Sequence, residues 1–121
     1  MAILSSVSFY PCSSILATHQ FYSEILGLNL HSDQGKAKIY DTGYGYWGFV
    51  EYGDRQPNPA GLCLSLNCED PADVDRHYDQ LVTKGVHPLA PPHKHPPFPV
   101  YSFFLKDPDG YLVEFQKILE V

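Results

Sequence analysis

The chain has 121 residues, 44% of them apolar, and a formal net charge of −6. This length suits one compact domain with a sizeable core. The acidic balance excludes the clustered basic surface that nucleic-acid binding requires, because phosphate contacts need many lysines and arginines.

No stretch approaches the roughly 20 apolar residues of a membrane span. The start of the chain has no basic segment followed by an apolar run, so no secretory signal is expected. We therefore expect a cytoplasmic protein that binds neither nucleic acid nor membrane. Its cysteines are Cys12, Cys63 and Cys68, an odd number without a CxxC pair, which argues against a disulfide framework. Buried, reduced thiols are the simplest expectation.

The first half of the chain predicts a strand, a helix and three short strands. Residues 3–10 indicate the first strand, which ends at Pro11. Ser13 or Ser14 can cap a helix that runs to about Leu26, where glycine follows. Three short strands follow at 28–32, 36–42 and 45–52, and then a polar loop at 53–60.

The second half predicts the same order again. A strand at 61–68 precedes a helix that Asp70 can cap, with Pro71 at its first position, where the missing N–H costs nothing. A short strand follows at 86–90, then a proline-rich loop at 91–97. A hairpin of two strands, 99–106 and 111–118, ends the chain. Both halves thus have the order βαβββ. This order predicts an α+β domain with strongly curved sheets and a helix over the outer face of each.

Strand alternation assigns residues to two faces. One set is apolar and is expected to lie under the helices: Val7, Phe9, Leu62, Leu64, Leu66, Tyr111, Val113 and Phe115. The opposite set is small, polar or aromatic: Ser6, Ser8, Tyr10, Gly61, Cys63, Ser65, Asn67, Leu112, Glu114 and Gln116. Trp47, Phe49 and Glu51 share one face of their strand. The second set favours the lining of a partly enclosed cavity; an ordinary solvent-facing surface is the alternative.

Two segments carry a family resemblance. Residues 21–28 (FYSEILGL) are similar to an "FYxxxLG" helix end, and residues 106–115 (KDPDGYLVEF) are similar to a "DPDGxxxE" hairpin. In this order and spacing they resemble the glyoxalase / bleomycin-resistance / extradiol-dioxygenase (vicinal oxygen chelate) superfamily. The resemblance implies paired βαβββ modules, here about 1–53 and 60–121 of a single domain, that form a cupped sheet around a site. It also implies a homodimer.

The resemblance further implies a divalent metal held by histidines and carboxylates. Glu114 stands at the position of the motif's ligand, and Glu51 is a plausible second carboxylate. Ser6 and Gly61 stand closest to the positions where the family has histidines. Two carboxylates alone make a poor site for zinc, nickel or iron, which prefer nitrogen or sulfur donors. Cys63 is a conceivable substitute ligand, and a buried inert thiol is the simpler expectation.

Three functions are therefore compared. The preferred one is metal-free binding of a small, aromatic or amphiphilic molecule, with no cofactor. The alternative is a divalent-metal-dependent lyase, isomerase or dioxygenase with Glu51 and Glu114 as ligands. A third is a metal-free enzyme in which Glu114 is the catalytic general base. The alternative role for Glu114 is that of a paired structural carboxylate. The expected ligand-binding residues are Tyr10, Trp47, Phe49, Cys63, Phe98, His93 and His95, the two histidines from a loop that can fold over the cavity mouth.

Overall fold

A computed structural model describes residues 2–120, which divide into two compact units with the boundary between Asn58 and Pro59. The N-terminal unit contains β1 (Val7–Pro11), α1 (Ile15–His19) with a π-helical continuation (Gln20–Ile25), β2 (Asn29–Asp33), β3 (Ala37–Asp41) and β4 (Tyr46–Val50). The C-terminal unit contains β5 (Cys63–Asn67), α2 (Pro71–Thr83), β6 (His93–His95), β7 (Phe98–Lys106) and β8 (Leu112–Ile118). The predicted α+β class and the βαβββ order of each half are confirmed.

The two units share one sheet topology. The strand orders are β1-β4-β3-β2 and β5-β8-β7-β6. In each sheet the strand before the helix pairs in parallel with the last strand, and the other pairs are antiparallel. Each strand of one sheet therefore has a topological counterpart in the other. The longest regular helix, α2, has 13 residues, and no helix in the part of the chain described is long and apolar enough to cross a bilayer.

Both helices begin where the sequence predicts, because each has a polar side chain that satisfies free backbone N–H groups. The hydroxyl of Ser14 accepts from the N–H of Ala17 at 3.2 Å, and a carboxylate oxygen of Asp70 accepts from the N–H of Asp73 at 2.8 Å. After His19 the first helix widens, so that the N–H of Leu26 donates to the carbonyl of residue 21. This π-helical part was not expected from the sequence.

The core of the N-terminal unit is aromatic. Tyr22 stacks on Phe49 at a ring distance of 4.3 Å and meets Trp47 edge-on at 6.2 Å. Phe49 is completely buried, whereas Phe9 is 50% exposed. Tyr10, paired with Phe49 in the sheet, lies 5.6 Å from its ring. The face assignment in β1 was therefore wrong: Tyr10 faces the core with its partner, and Phe9 lies on the open face.

The physical reason for this inversion lies on the neighbouring strand. Phe9 pairs with Gly48, and a Cβ at residue 48 would lie 2.5 Å from the Phe9 ring. The ring thus covers a position that has no side chain of its own. Alternation on the first strand alone could not reveal this, because both of its faces carry an aromatic residue.

The face assignment of the C-terminal unit is confirmed for β5 and β8. Leu64, Val113 and Phe115 are buried, and α2, whose Val74 and Leu81 are buried too, packs against β7 and β8. Leu62 is an exception: it precedes the strand and is 41% exposed. The opposite face keeps the predicted polar set, with Glu114 at its centre.

Two strand predictions need correction. Residues 86–90 are not a strand, although the backbone N–H of Leu89 donates to the carbonyl of Phe104 in the sheet. The strand at this edge is instead His93–His95, inside the proline-rich segment. An edge strand needs hydrogen bonds on one side alone, so flanking prolines are compatible with it. The first strand also begins later than predicted, at Val7, and includes Pro11, again on an edge.

Candidate functional site

The open face of the C-terminal sheet contains a cavity of about 510 Å³. Its lining comes from β6, β7 and β8 and the turn between the first two: His95, Pro96, Phe98, Val100, Phe104, Glu114 and Gln116. Strand alternation places Val100 and Phe104 on the same face of β7. The size falls within the range of roughly 300–1,000 Å³ that small-molecule sites occupy.

Glu114 is the charged group of this cavity. It is 7% exposed and lies on β8 between Ser65 of β5 and Phe104 of β7. Its Oε1 accepts a hydrogen bond of 2.5 Å from the Ser65 hydroxyl, and the thiol of Cys63 lies 3.9 Å from the same oxygen. Among residues 2–120, Oε2 has no hydrogen-bond partner. One oxygen is thus held by the protein, and the other remains available to a ligand.

The two histidines of β6 stack on each other, with ring centroids 4.0 Å apart. The Nε2 of His95 lies 3.2 Å from the carbonyl of Ser102, and the Nδ1 of His93 lies 2.9 Å from the carbonyl of Pro91. A carbonyl only accepts, so each of these ring nitrogens carries the hydrogen. In the neutral imidazole of His95, Nδ1 is consequently an acceptor. This ring also meets Phe104 edge-on at 5.5 Å.

The predicted site residues separate into two groups. Glu114, His95 and Phe98 line the cavity. Cys63 lies beside Glu114, and His93 lies beside His95. Tyr10, Trp47 and Phe49 belong to the N-terminal unit, where Trp47 and Phe49 are buried in the core and the Tyr10 ring contacts Phe49. We propose no ligand contact for these three.

Sequence reasoning missed part of the lining. Val100 and Phe104 were not among the expected ligand contacts, although their spacing along β7 places them on one face. Gln116 was assigned to the correct face without a role. Ser65 was likewise on that face, and its hydrogen bond to Glu114 could have been predicted from the parallel pairing of β5 with β8, because the two residues are in register.

Glu51 has a structural position. Its Oε1 accepts from the backbone N–H of Ile15 at 2.8 Å, and its Oε2 lies 2.5 Å from Nζ of Lys36. The lysine, and then the backbone N–H, hold the pKa of this carboxyl below its usual range. The topological counterpart of Glu114 in the N-terminal sheet is Gly48, the third residue of β4, rather than Glu51. The match of Glu51 to a metal-ligand position is therefore not supported.

The donor set around Glu114 does not fit a transition metal. Its hydrogen-bonding neighbours are the Ser65 hydroxyl and the thiol of Cys63, which belongs to an exposed residue rather than a buried one as expected. Zinc, nickel and iron prefer several nitrogen or sulfur donors beside carboxylate, and His95 is the histidine that lines this cavity with Glu114. Within residues 2–120 no three side chains of the His, Cys, Asp or Glu type converge into a metal-binding group.

The fold and its cupped polar face define the class of protein. A family model described as the Glyoxalase/Bleomycin resistance protein/Dioxygenase superfamily matches residues 7–115. The chain belongs to this superfamily, as the resemblance implied. A search of curated proteins found no match.

Solved structures agree on the fold. A glyoxalase/bleomycin resistance protein/dioxygenase from Nocardioides is 17% identical with a TM-score of 0.78, over 99% of this chain and 85% of that one. A lactoylglutathione lyase from Agrobacterium tumefaciens is 18% identical with a TM-score of 0.78, over 96% and 92%. A glyoxalase-related enzyme from Fulvimarina pelagi is 19% identical with a TM-score of 0.76, over 93% and 86%. At these identities the similarity concerns the fold alone.

Proposed function

We propose that this protein binds a small amphiphilic molecule in the cavity of the C-terminal unit, without a metal. The observation that carries the proposal is the composition of the lining: apolar walls around one buried carboxylate, in a cavity of about 510 Å³. Small-molecule sites combine these features, because the walls supply affinity and the few polar groups orient the ligand.

The apolar walls are incompletely covered. Phe98 is 69% exposed, and Val100 and Phe104 are half-buried. A ligand ring placed against Phe98 removes apolar surface from water on both partners, and a favourable ring contact adds about 0.5–1.5 kcal/mol. The exposed aromatic surface at the cavity therefore supports an aromatic or aliphatic ligand body.

Catalysis by Glu114 is not needed for this function. A general-base role requires a substrate proton within hydrogen-bond reach of the free Oε2. It stays a prediction from the sequence, as do the homodimer and the cytoplasmic location.

The experiment is calorimetric titration of the purified protein with indole and its charged derivatives. Phe98→Ala should weaken binding roughly twofold to tenfold, the equivalent of the ring contact. Tyr44→Ala is the matched control, because Tyr44 is a fully exposed aromatic residue of the other unit. Absence of binding to all probes at millimolar concentration, or equal weakening by both substitutions, would overturn the proposal.

A second experiment tests whether ligand binding is independent of a metal ion. The same titration is repeated after dialysis against EDTA and again with added zinc, nickel or iron(II). We expect the same affinities in all cases. Binding that disappears with EDTA and returns with one metal would contradict the proposal.

A further inference from the structure

Two hydrogen-bond donors at the cavity are used inside the protein, and the acceptors beside them remain free. The O–H of Ser65 is donated to Oε1 of Glu114, and the Nε2–H of His95 is donated to the carbonyl of Ser102. Oε2 of Glu114 and Nδ1 of neutral His95 are left as acceptors.

Gln116 adds an acceptor as well. One N–H of its amide donates to Oδ1 of Asn67 at 3.1 Å, and the side chain keeps its Oε1 acceptor and its second N–H. The three polar residues of the lining thus offer a carboxylate oxygen, an amide oxygen and an imidazole nitrogen. A ligand that satisfies them must bring N–H or O–H donors.

The charge of the cavity lining also favours a ligand that donates hydrogen bonds. Glu114 is buried, and the lining residues include no lysine or arginine. A carboxylate in such surroundings is poorly hydrated, so a cation that reaches it gains a charge-assisted hydrogen bond. The faces of Phe98 and Phe104 attract a cation as well, through their ring quadrupoles. An anionic ligand would be repelled by the carboxylate, and the lining has no lysine or arginine to offset this repulsion.

We infer that the ligand of this cavity is an organic cation, a protonated amine on an aromatic or aliphatic body. The ammonium group donates to Oε2 of Glu114, the acceptors of His95 and Gln116 are available to further N–H or O–H groups of the ligand, and the body lies against Phe98 and Phe104. This inference rests on the proposed function: it gives the charge and the hydrogen-bonding character of the molecule that the cavity holds.

The test uses three probes with one ring system: tryptamine, an ammonium at pH 7.5; indole-3-propionate, its anionic counterpart; and neutral indole. Calorimetry on the full chain should show tryptamine binding at least roughly tenfold more tightly than indole-3-propionate, the value expected for one charge-assisted hydrogen bond. Raising the salt concentration should reduce this preference partially, because a buried pair is screened less than an exposed one.

Glu114→Gln keeps the shape of the side chain and removes its charge. It should weaken tryptamine roughly tenfold to a hundredfold and weaken neutral indole much less. Glu120→Gln is the control, since it removes the same charge from an exposed residue outside the cavity. If Glu114→Gln does not fold, the wild-type preference among the three probes decides the question alone.

The outcomes separate the two proposals. Equal affinity for all three probes, or a preference for indole-3-propionate, would overturn the cationic ligand and leave small-molecule binding standing. No binding of any probe would overturn both. A tryptamine preference that Glu114→Gln does not reduce would also refute the inference, because the charge would then act elsewhere.

Discussion

The hydroxyl of Ser65 donates a hydrogen bond of 2.5 Å to Oε1 of Glu114 across the parallel pair of β5 and β8. At the topologically equivalent place in the N-terminal sheet, Phe9 pairs with Gly48, and the ring covers the glycine. Two sheets with one strand order thus hold a polar pair in one unit and an apolar pair in the other. Of these two pairs, therefore, only the one in the C-terminal sheet contains the buried carboxylate, Glu114.

Ser65→Ala should lower the free energy of unfolding by about 2 kcal/mol, the usual value for a hydrogen bond to a charged group that is not replaced. The reason is that Glu114 is buried and would lose its strongest donor. Urea unfolding followed by circular dichroism measures the change. Ser5→Ala is the control, because Ser5 is exposed. A loss no larger than that of the control would mean that solvent replaces the Ser65 hydroxyl.

Gly48→Ala should destabilise the N-terminal unit by about 1 kcal/mol, toward the low end for an overpacked position. The added methyl would lie 2.5 Å from the Phe9 ring, which must tilt away, and its 50% exposure gives it room to do so. In the background of Phe9→Ala the same substitution should be neutral or stabilising. A coupling energy below about 0.5 kcal/mol in this double-mutant cycle would contradict the contact.

Local signals in the sequence were sufficient to predict most of the architecture. Ser14 and Asp70 cap the helices as expected, because capping depends on residues within one turn. Face assignment depended on more than the strand itself. Residues 46–50 (YWGFV) are apolar on both faces, so alternation could not decide which side lies under the helix. The pairing of Gly48 with Phe9, a long-range contact, decides it.

The candidate site was predictable to the extent that it lies in the motif. Glu114 follows the DPDG turn at a fixed distance, and its place on the polar face followed from alternation. Phe98 of β7 was predicted, but Val100 and Phe104 were missed because that strand carries aromatic residues on both faces, with Phe103 in the core and Phe104 at the cavity. His95 reaches the cavity through the edge strand β6, which was not predicted because its segment is rich in proline.

Asp107→Ala should destabilise the chain by about 2–4 kcal/mol, because it removes the acceptor of two backbone N–H groups. Oδ1 of Asp107 accepts from Asp109 at 2.8 Å and from Tyr111 at 2.9 Å, and the side chain is buried in the turn between β7 and β8. Asp107→Asn, which retains an oxygen acceptor, should lose less. Equal losses for the two variants would show that the charge, rather than the acceptor geometry, holds the turn.

His77 should make the stability of the C-terminal unit depend on pH. Its ring stacks on Phe115 at 4.8 Å, and burial lowers the pKa of the imidazole; the charge of Asp73 opposes this shift and that of Arg76 adds to it. The folded chain therefore binds a proton at His77 less readily than the unfolded chain, whose imidazole has a pKa of about 6.5. The unfolded state gains more protons below that pH, so stability is lost as the pH falls from about 6.5 toward the lowered folded pKa.

His77→Phe keeps an aromatic ring against Phe115 and removes the titrating group. Urea unfolding of wild type and variant at pH 7.5 and pH 5.5, at one salt concentration, isolates the contribution of His77, because every other side chain is the same in both proteins. The wild type should lose more stability between the two pH values than the variant does. An equal loss in both proteins would refute the assignment, since the proton taken up on unfolding would then belong to another group.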